Sequence, residues 1–471
     1  MSGFLHGVEI IELNNGVRPI PTVRSAVIGL VGSAPKGPIN KPTLIAGSRV
    51  EAAQFGTGLG TIPDAIDGIF DQAGALVVVI NVLDPAVHKT AVAGIDYTFA
   101  IDETLEVIND NILNVVVKDQ TLVATYVEGT DYSVDVDTGI ITRITTGTIT
   151  AGETVNVAYD RIDETLVTTA DIMGGVDVDT GARTGVHALL DAESDVGVQP
   201  KVLIAPGYTS QVTRTASVIT GAPVTSEMVS IADQLRAVIL ADGPNTNDAD
   251  ALDYRGLFGS ERVFVTDPWV KVWDTDANAE AVTSNSDRVA GLIASNDASN
   301  GFWTSPSNKE INGIIGTARA IDFTLGDANA RANLLNEKEV ATIISKDGYR
   351  LWGNRTCSAD PKWAFLAHVR LNDMILESLL RAHMWAVDRN ITKTYAEDVS
   401  EGVNAYLAKL MGDGAISGGK CWLNPELNTD VTMDAGQVYF DFDYGRYGVA
   451  ERVSFRAAVN NDYTVEAVFG S

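Results

Sequence analysis

Cysteine is nearly absent: Cys357 and Cys421 are the only two in 471 residues. Two thiols so far apart cannot build a disulfide framework, nor do they supply the close-set ligand pairs of a zinc site. They are expected to be buried or free thiols of a protein made in a reducing compartment. Basic side chains are also scarce, with 34 Lys and Arg against 62 Asp and Glu and a formal net charge of −28. That field repels phosphate, so direct nucleic-acid binding by an extended basic surface is not expected. No apolar run reaches the roughly 18 residues of a membrane span, and MSGFLHGVEIIEL has no basic segment leading into an apolar one. The chain is expected to be kept in solution, without membrane insertion.

Signatures of catalysis and ligand binding are missing as well. His6, His88, His187, His368 and His383 are dispersed, and no H-E-x-x-H, G-x-S-x-G or C-x-x-C occurs. Gly32 to Gly37 has the G-x4-G spacing of a phosphate loop, but Pro38 and Ile39 stand where Lys and Ser or Thr are required, so a proline-fixed turn is the better account. Gly56, Gly58 and Gly60 follow a helical stretch rather than a strand, the wrong context for a dinucleotide fingerprint. DVDTG occurs twice, at 135–139 and 177–181, but glycine takes the fifth place and no glutamate the twelfth, against a calcium loop. For the first copy a hairpin turn explains the pattern. No catalytic residue, cofactor or metal ligand is assigned.

What is present is 45% hydrophobic and 20% charged, enough for packed cores, in a chain too long for one core. Residues 1–24 are expected to form an extended arm, with Pro19 and Pro21 opposing helix. The segments SAVIGLVG, IPDAIDGIFDQAG and ALVVVINVL then begin a strand–helix–strand alternation, and Ser48 with Glu51 reads as a capping box. KVLIAPG, RAVILADGP and RVFVTDP continue it, giving an α/β core over 25–93 plus 170–330. Short strands with turn signals interrupt it at 94–169, the mark of an inserted all-β domain. Residues 94–181 hold 17 acidic and 3 basic side chains, so this stretch is expected to face solvent.

A third, more helical α+β domain is expected at 331–450. Asp360 and Pro361 suggest a helix start running to about Arg389, and Thr394 with Glu397 a second helix ending at Gly412. On the first, Arg370, Asp373, Glu377 and Arg381 recur every three or four residues, as on a solvated face or a contact surface for another subunit. At 451–471, Val453, Phe455, Ala457 and Val459 alternate with Ser454, Arg456 and Ala458, and YTVEAVF follows a turn, so a terminal β arm is expected. The fold class is thus a multidomain mixture of α/β and α+β with extended β arms at both ends.

Several segments together resemble the contractile tail sheath proteins of phages and of R-type bacteriocins. They are VGSAPKGPINKPTLI with EAAQFG, then FWTSPSNKEINGI, NLLNEKEVATI, GYRLWGNRTCS and the closing AERVSF, in the family's order. The likeness runs from about residue 3 to the end, apart from the β insert, which is similar to variable decoration domains. It departs at Asn354, where many members carry a small residue, and around Leu376 and Glu377. The resemblance implies a structural subunit that polymerises with itself around a tail tube, meets baseplate and tail terminator proteins, and resides in the virion tail after assembly in the host cytoplasm. It implies that the C-terminal domain faces the tube, and that the arms exchange strands between subunits through Val8, Ile10, Ile11 and Leu13 at one end and Val453, Phe455, Ala457 and Val459 at the other. Lys362, Arg370 and Arg381 are the expected tube-facing cations. A non-contractile tail or surface-array protein, or an α/β nucleotide-binding enzyme, is the alternative reading.

Overall fold

Segments such as VIGLVG and LVVVIN carry no polar alternation, so strands made of them need cover on both faces. The computed structural model, which describes residues 20–101, 103–275 and 278–470, meets that need with a layered sheet. The chain passes through β1 (Val27–Gly32), β2 (Thr43–Ala46), α1 (Thr61–Phe70) and β3 (Leu76–Asn81). It leaves the sheet for β4 (Lys89–Thr98), β5 (Thr104–Glu106), β6 (Ile112–Asp119), β7 (Tyr132–Asp135), β8 (Ile140–Arg143) and β9 (Thr154–Ile162). It then returns through β10 (Val202–Ile204), α2 (Pro223–Leu235), β11 (Val238–Asp242), β12 (Val263–Thr266) and α3 (Ser286–Asn300). After a long connection that ends in a short helix at Arg331–Glu337 come β13 (Val340–Ser345), β14 (Tyr349–Trp352) and α4 (Leu366–Ala382).

The main sheet has eight strands in the order β2-β3-β1-β10-β11-β12-β13-β14. Its six central strands are parallel and the edge strands β2 and β14 antiparallel. Alternate residues feed two cores. Val27, Val31, Val78, Ile80, Ile239 and Val265 pack with Met228 and Ile231 of α2, while Ile28, Leu30, Val77, Val79 and Leu240 pack with Ile66 of α1 and Ile293 of α3. Asp242, at the end of β11, fastens α3 to the sheet. Its carboxylate accepts the N–H groups of Asn285 (3.0 Å) and Ser286 (2.9 Å) and the Ser286 hydroxyl (2.6 Å), filling the helix N-terminus. Complete burial pushes its carboxyl up to about 7.

The excursion between β3 and β10 builds two three-stranded sheets, β4-β9-β6 and β5-β8-β7, around a core that includes Phe99, Ile112, Val117, Ile141, Val155 and Val157. Pairing of Lys89 with Ile162 closes its root, and the Asp163 N–H donates to the His88 carbonyl (3.0 Å). Regular pairing therefore begins before the expected start at 94.

Other expectations need correction. The sheet does not stop at 330, because β13 pairs in parallel with β12. Asp360 caps a 3-10 turn, Pro361–Trp363, and α4 begins only at Leu366 and ends at Ala382 rather than Arg389. Residues Pro21–Trp385 form one compact unit, and a second is built on Ala386–Ser471. In the second, α5 (Lys393–Gly412) is capped by Thr392 rather than Thr394: its hydroxyl accepts the Tyr395 N–H. Next come β15 (Ile416–Leu423), β16 (Phe440–Arg446) and α6 (Asp462–Phe469). The expected closing strand YTVEAVF thus lies in a helix: Val465, Val468 and Phe469 have the i, i+3, i+4 spacing of one.

Candidate assembly interface

Where nucleotide or calcium chemistry was conceivable, the backbone is already committed. Ser33, in the Gly32–Gly37 loop, accepts the Thr61 N–H through its hydroxyl (3.1 Å) and the Ile62 N–H through its carbonyl (3.0 Å), using the α1 groups that would hold a phosphate. Asn81 ties the rest, accepting from the Ala34 N–H and donating to the carbonyls of Ala34 and Lys36. Both DVDTG copies are turns closed by their first aspartate. Asp135 accepts the Asp137 N–H (3.1 Å) between β7 and β8, and Asp177 accepts the N–H groups of Asp179 and Thr180 and the Thr180 hydroxyl. Cys357 and Cys421 are free and buried, and burial pushes the Cys357 thiol up to about 12.

Of the three expected tube-facing cations, Arg370 is not on the surface. It is 3% exposed, and its guanidinium forms a two-pronged pair with Asp297 (2.8 and 2.5 Å) while donating to the Ser25 carbonyl (3.1 Å). The face of α4 expected to be solvated is largely interior. Asp373 pairs with Arg262, and Glu377 lies near the buried Lys201 ammonium (3.8 Å), which also donates to the Leu235 carbonyl (2.7 Å). Desolvation holds Lys201 down at about 8 and raises the Asp373 carboxyl. The i, i+3, i+4 spacing was legible, but it cannot distinguish charges facing water from charges facing opposite charges. Arg381, at the end of that row, is part-exposed and engaged by Glu377 (2.6 Å) and Glu193 (2.7 Å). Lys362 is exposed, with its ammonium 5.0 Å from the Trp363 ring centre. Of the departures, Glu377 is buried in this seam, and Asn354 is buried with neither side-chain polar atom hydrogen-bonded.

Val8, Ile10, Ile11 and Leu13 lie outside the described residues. Val453, Phe455 and Val459 are 68%, 94% and 95% exposed, Ala457 is exposed too, and residues 451–460 form no strand. In the same unit, β15 and β16 pair antiparallel with Cys421 opposite Phe442, a sheet of two strands among the described residues. Helix α5 covers one of its faces: Leu407 lies against Gly419, and Val403, Leu407 and Leu410 are buried. A two-stranded sheet is marginal by itself, and Phe440, Phe442 and Tyr444 of β16 remain only half-buried.

Three family models match the chain: the tail sheath protein Gp18 domain III N-terminal region over 25–82, the phage tail sheath protein central domain over 181–357, and the phage tail sheath C-terminal domain over 358–460. The tail sheath protein of Burkholderia phage BcepMu is 40% identical over 98% of both chains. A putative prophage major tail sheath protein of Pseudomonas aeruginosa is 34% identical over 99% of both, and the tail sheath protein of Escherichia phage P2 is 29% identical over 99% of this chain and 98% of its own. Among solved structures, the helical sheath of the anti-feeding prophage in its contracted state shares the fold, with a TM-score of 0.59 at 17% identity over 98% of this chain and 100% of that one. The chain belongs to the contractile phage tail sheath family of structural proteins, not to an enzyme family.

Proposed function

We propose that this chain is the subunit of a contractile sheath, polymerising as a helical array around a tail tube and shortening to drive that tube through a host envelope. Family membership supports the role. The observation that carries the assembly step is the presence, in one molecule, of an exposed alternating segment at Val453–Val459 and a two-stranded sheet at β15–β16. A strand from one copy added to the sheet of another supplies main-chain hydrogen bonds that survive rotation of the subunits. A head-to-tail contact whose rotation does not close generates a helical polymer rather than a ring. The amino-terminal segment Val8–Leu13 is proposed to act likewise. Contraction then needs no nucleotide, because a metastable packing set at assembly is released into a tighter one.

The partners under this reading are further copies of the chain, the tail tube, the baseplate and the tail terminator, in a virion tail assembled in the host cytoplasm. The carboxyl-terminal region is proposed to rest on the tube through an electrostatic contact that is easily released. With Arg370 buried, Lys362 and Arg381 remain as its cations. Negative-stain micrographs of the purified full chain should contain long hollow tubes. Removal of residues 451–471 should abolish them while leaving a folded subunit by circular dichroism, and full-length tubes from the truncated chain would refute strand exchange at that end.

A further inference from the structure

Residues 21–25 lead into β1 without forming a strand. Side chains of α3 and α4 hold them. Ser25 is gripped twice: its hydroxyl donates to Asp297 (2.5 Å), and its carbonyl accepts from the Arg370 guanidinium (3.1 Å), which is itself paired with Asp297. Ser378, about two turns further along α4, accepts the Val23 N–H through its hydroxyl (3.1 Å). From Ser25 to Val23 the strap therefore runs toward the carboxyl end of α4. Its anchor is set against local preference. Asp297 lies in the last turn of α3, where the helix dipole disfavours a carboxylate, yet its side chain is only 5% exposed and faces Arg370. The next segment is held quite differently, since β1 is buried along its length and bonded on both sides, to β3 and β10. A part-exposed strap held by a few side chains yields before a buried central strand does.

We propose that residues 21–25 are a strap clasped to α3 and α4, which opens under load on the amino-terminal segment and lengthens it without disturbing β1. This rests on the amino-terminal link between copies proposed above and adds how that link changes length. Five residues released from the clasp extend it by at most about 18 Å. Copies tied at that end can then turn or separate by that distance while the core stays folded. Pro21 and Arg24 face solvent, so the strap peels away without crossing the interior. The receiving side of the clasp stays in place when the strap leaves, because Asp242 fixes the start of α3 to the sheet and Asp373 pairs α4 with Arg262. The clasp is therefore ready to close again when the load falls.

Force spectroscopy on the full chain tests the clasp, with handles on Pro21→Cys and on Ser299→Cys, an exposed position at the end of α3 in the same compact unit. Cys357 and Cys421 are buried and do not compete for the handles. A first step of no more than about 18 Å should precede unfolding of the sheet. Ser25→Ala and Ser378→Ala each remove one hydrogen bond to or from the strap, so each should raise the rate of that step at fixed force by about two- to tenfold. A longer first step, in which β1 comes away with the strap, overturns the proposal, as does a step whose rate neither substitution changes. The measurement is made on single molecules and does not depend on strand exchange. Polymers that assemble normally after removal of residues 1–20 would instead overturn the amino-terminal link and leave the clasp standing.

Discussion

Asp242 is the residue whose role is least visible in its surroundings in sequence. RAVILADGP reads as a strand with a polar end, yet that end closes a helix that starts more than forty positions later. Its buried carboxyl titrates well above the ordinary aspartate value of 3.8, at about 7. The folded state therefore holds this proton more tightly than the unfolded chain does. The associated stability is fully present below the unfolded value and is lost as pH rises through the folded one. Replacement by Asn removes the titration, so the fall in unfolding free energy between pH 5 and 8 should be smaller in Asp242→Asn by on the order of 2–3 kcal/mol. Urea midpoints of both proteins across that range check it, and equal slopes would remove Asp242 as the cause. Other buried carboxyls, among them Asp287 and Asp373, are also raised, so the difference between the two proteins carries the information rather than the parent curve alone.

At the scale of single elements, helix α4 separates pattern from placement. Arg370, Asp373, Glu377 and Arg381 are in helical register as their spacing predicts, but the first three face the interior. A buried pair broken on one side leaves an uncompensated charge, so Arg370→Ala should cost about 3–5 kcal/mol. Lys362→Ala, at an exposed position, should change stability by no more than about 0.5 kcal/mol. Thermal melts of the two variants separate the structural cation from the surface one, and a near-neutral Arg370→Ala would mean the seam is not what holds α4. The β1, β3, β11 and β12 strands were legible because runs such as LVVVIN leave no other choice than burial on both faces. The edge strands β2 and β14 escaped notice: TLIA and YRLW are four residues each, half-polar, and gain their identity from the neighbours they pair with. The closing segment erred the other way, since composition rich in Val, Tyr and Phe suggested strand where periodicity favoured helix α6.

For the whole molecule, the six-stranded excursion is an attached module. Its ends, His88 and Asp163, are joined by a backbone hydrogen bond, so a short glycine link can replace residues 89–162 without displacing β3 or the chain that follows. Such a deletion should leave tube formation intact and increase lateral clumping of the tubes, because the acidic module no longer supplies repulsion between them. Micrographs and light scattering distinguish the outcomes, and loss of all assembly would make the module structural. Its Lys36–Asp137 contact with the core loop is exposed and contributes little to holding it.

Sequence by itself determined the α/β alternation, the place of the β excursion and, through five ordered segments, the family. Those features are local or compositional: hydrophobic runs, turn residues and motif order do not depend on what lies across the sheet. Tertiary structure alone decided that Arg370 is interior and that Asp242 closes a distant helix. Each of these is a pairing of polar groups far apart in the chain. Burial makes such pairing obligatory, but sequence spacing does not say which partner meets it.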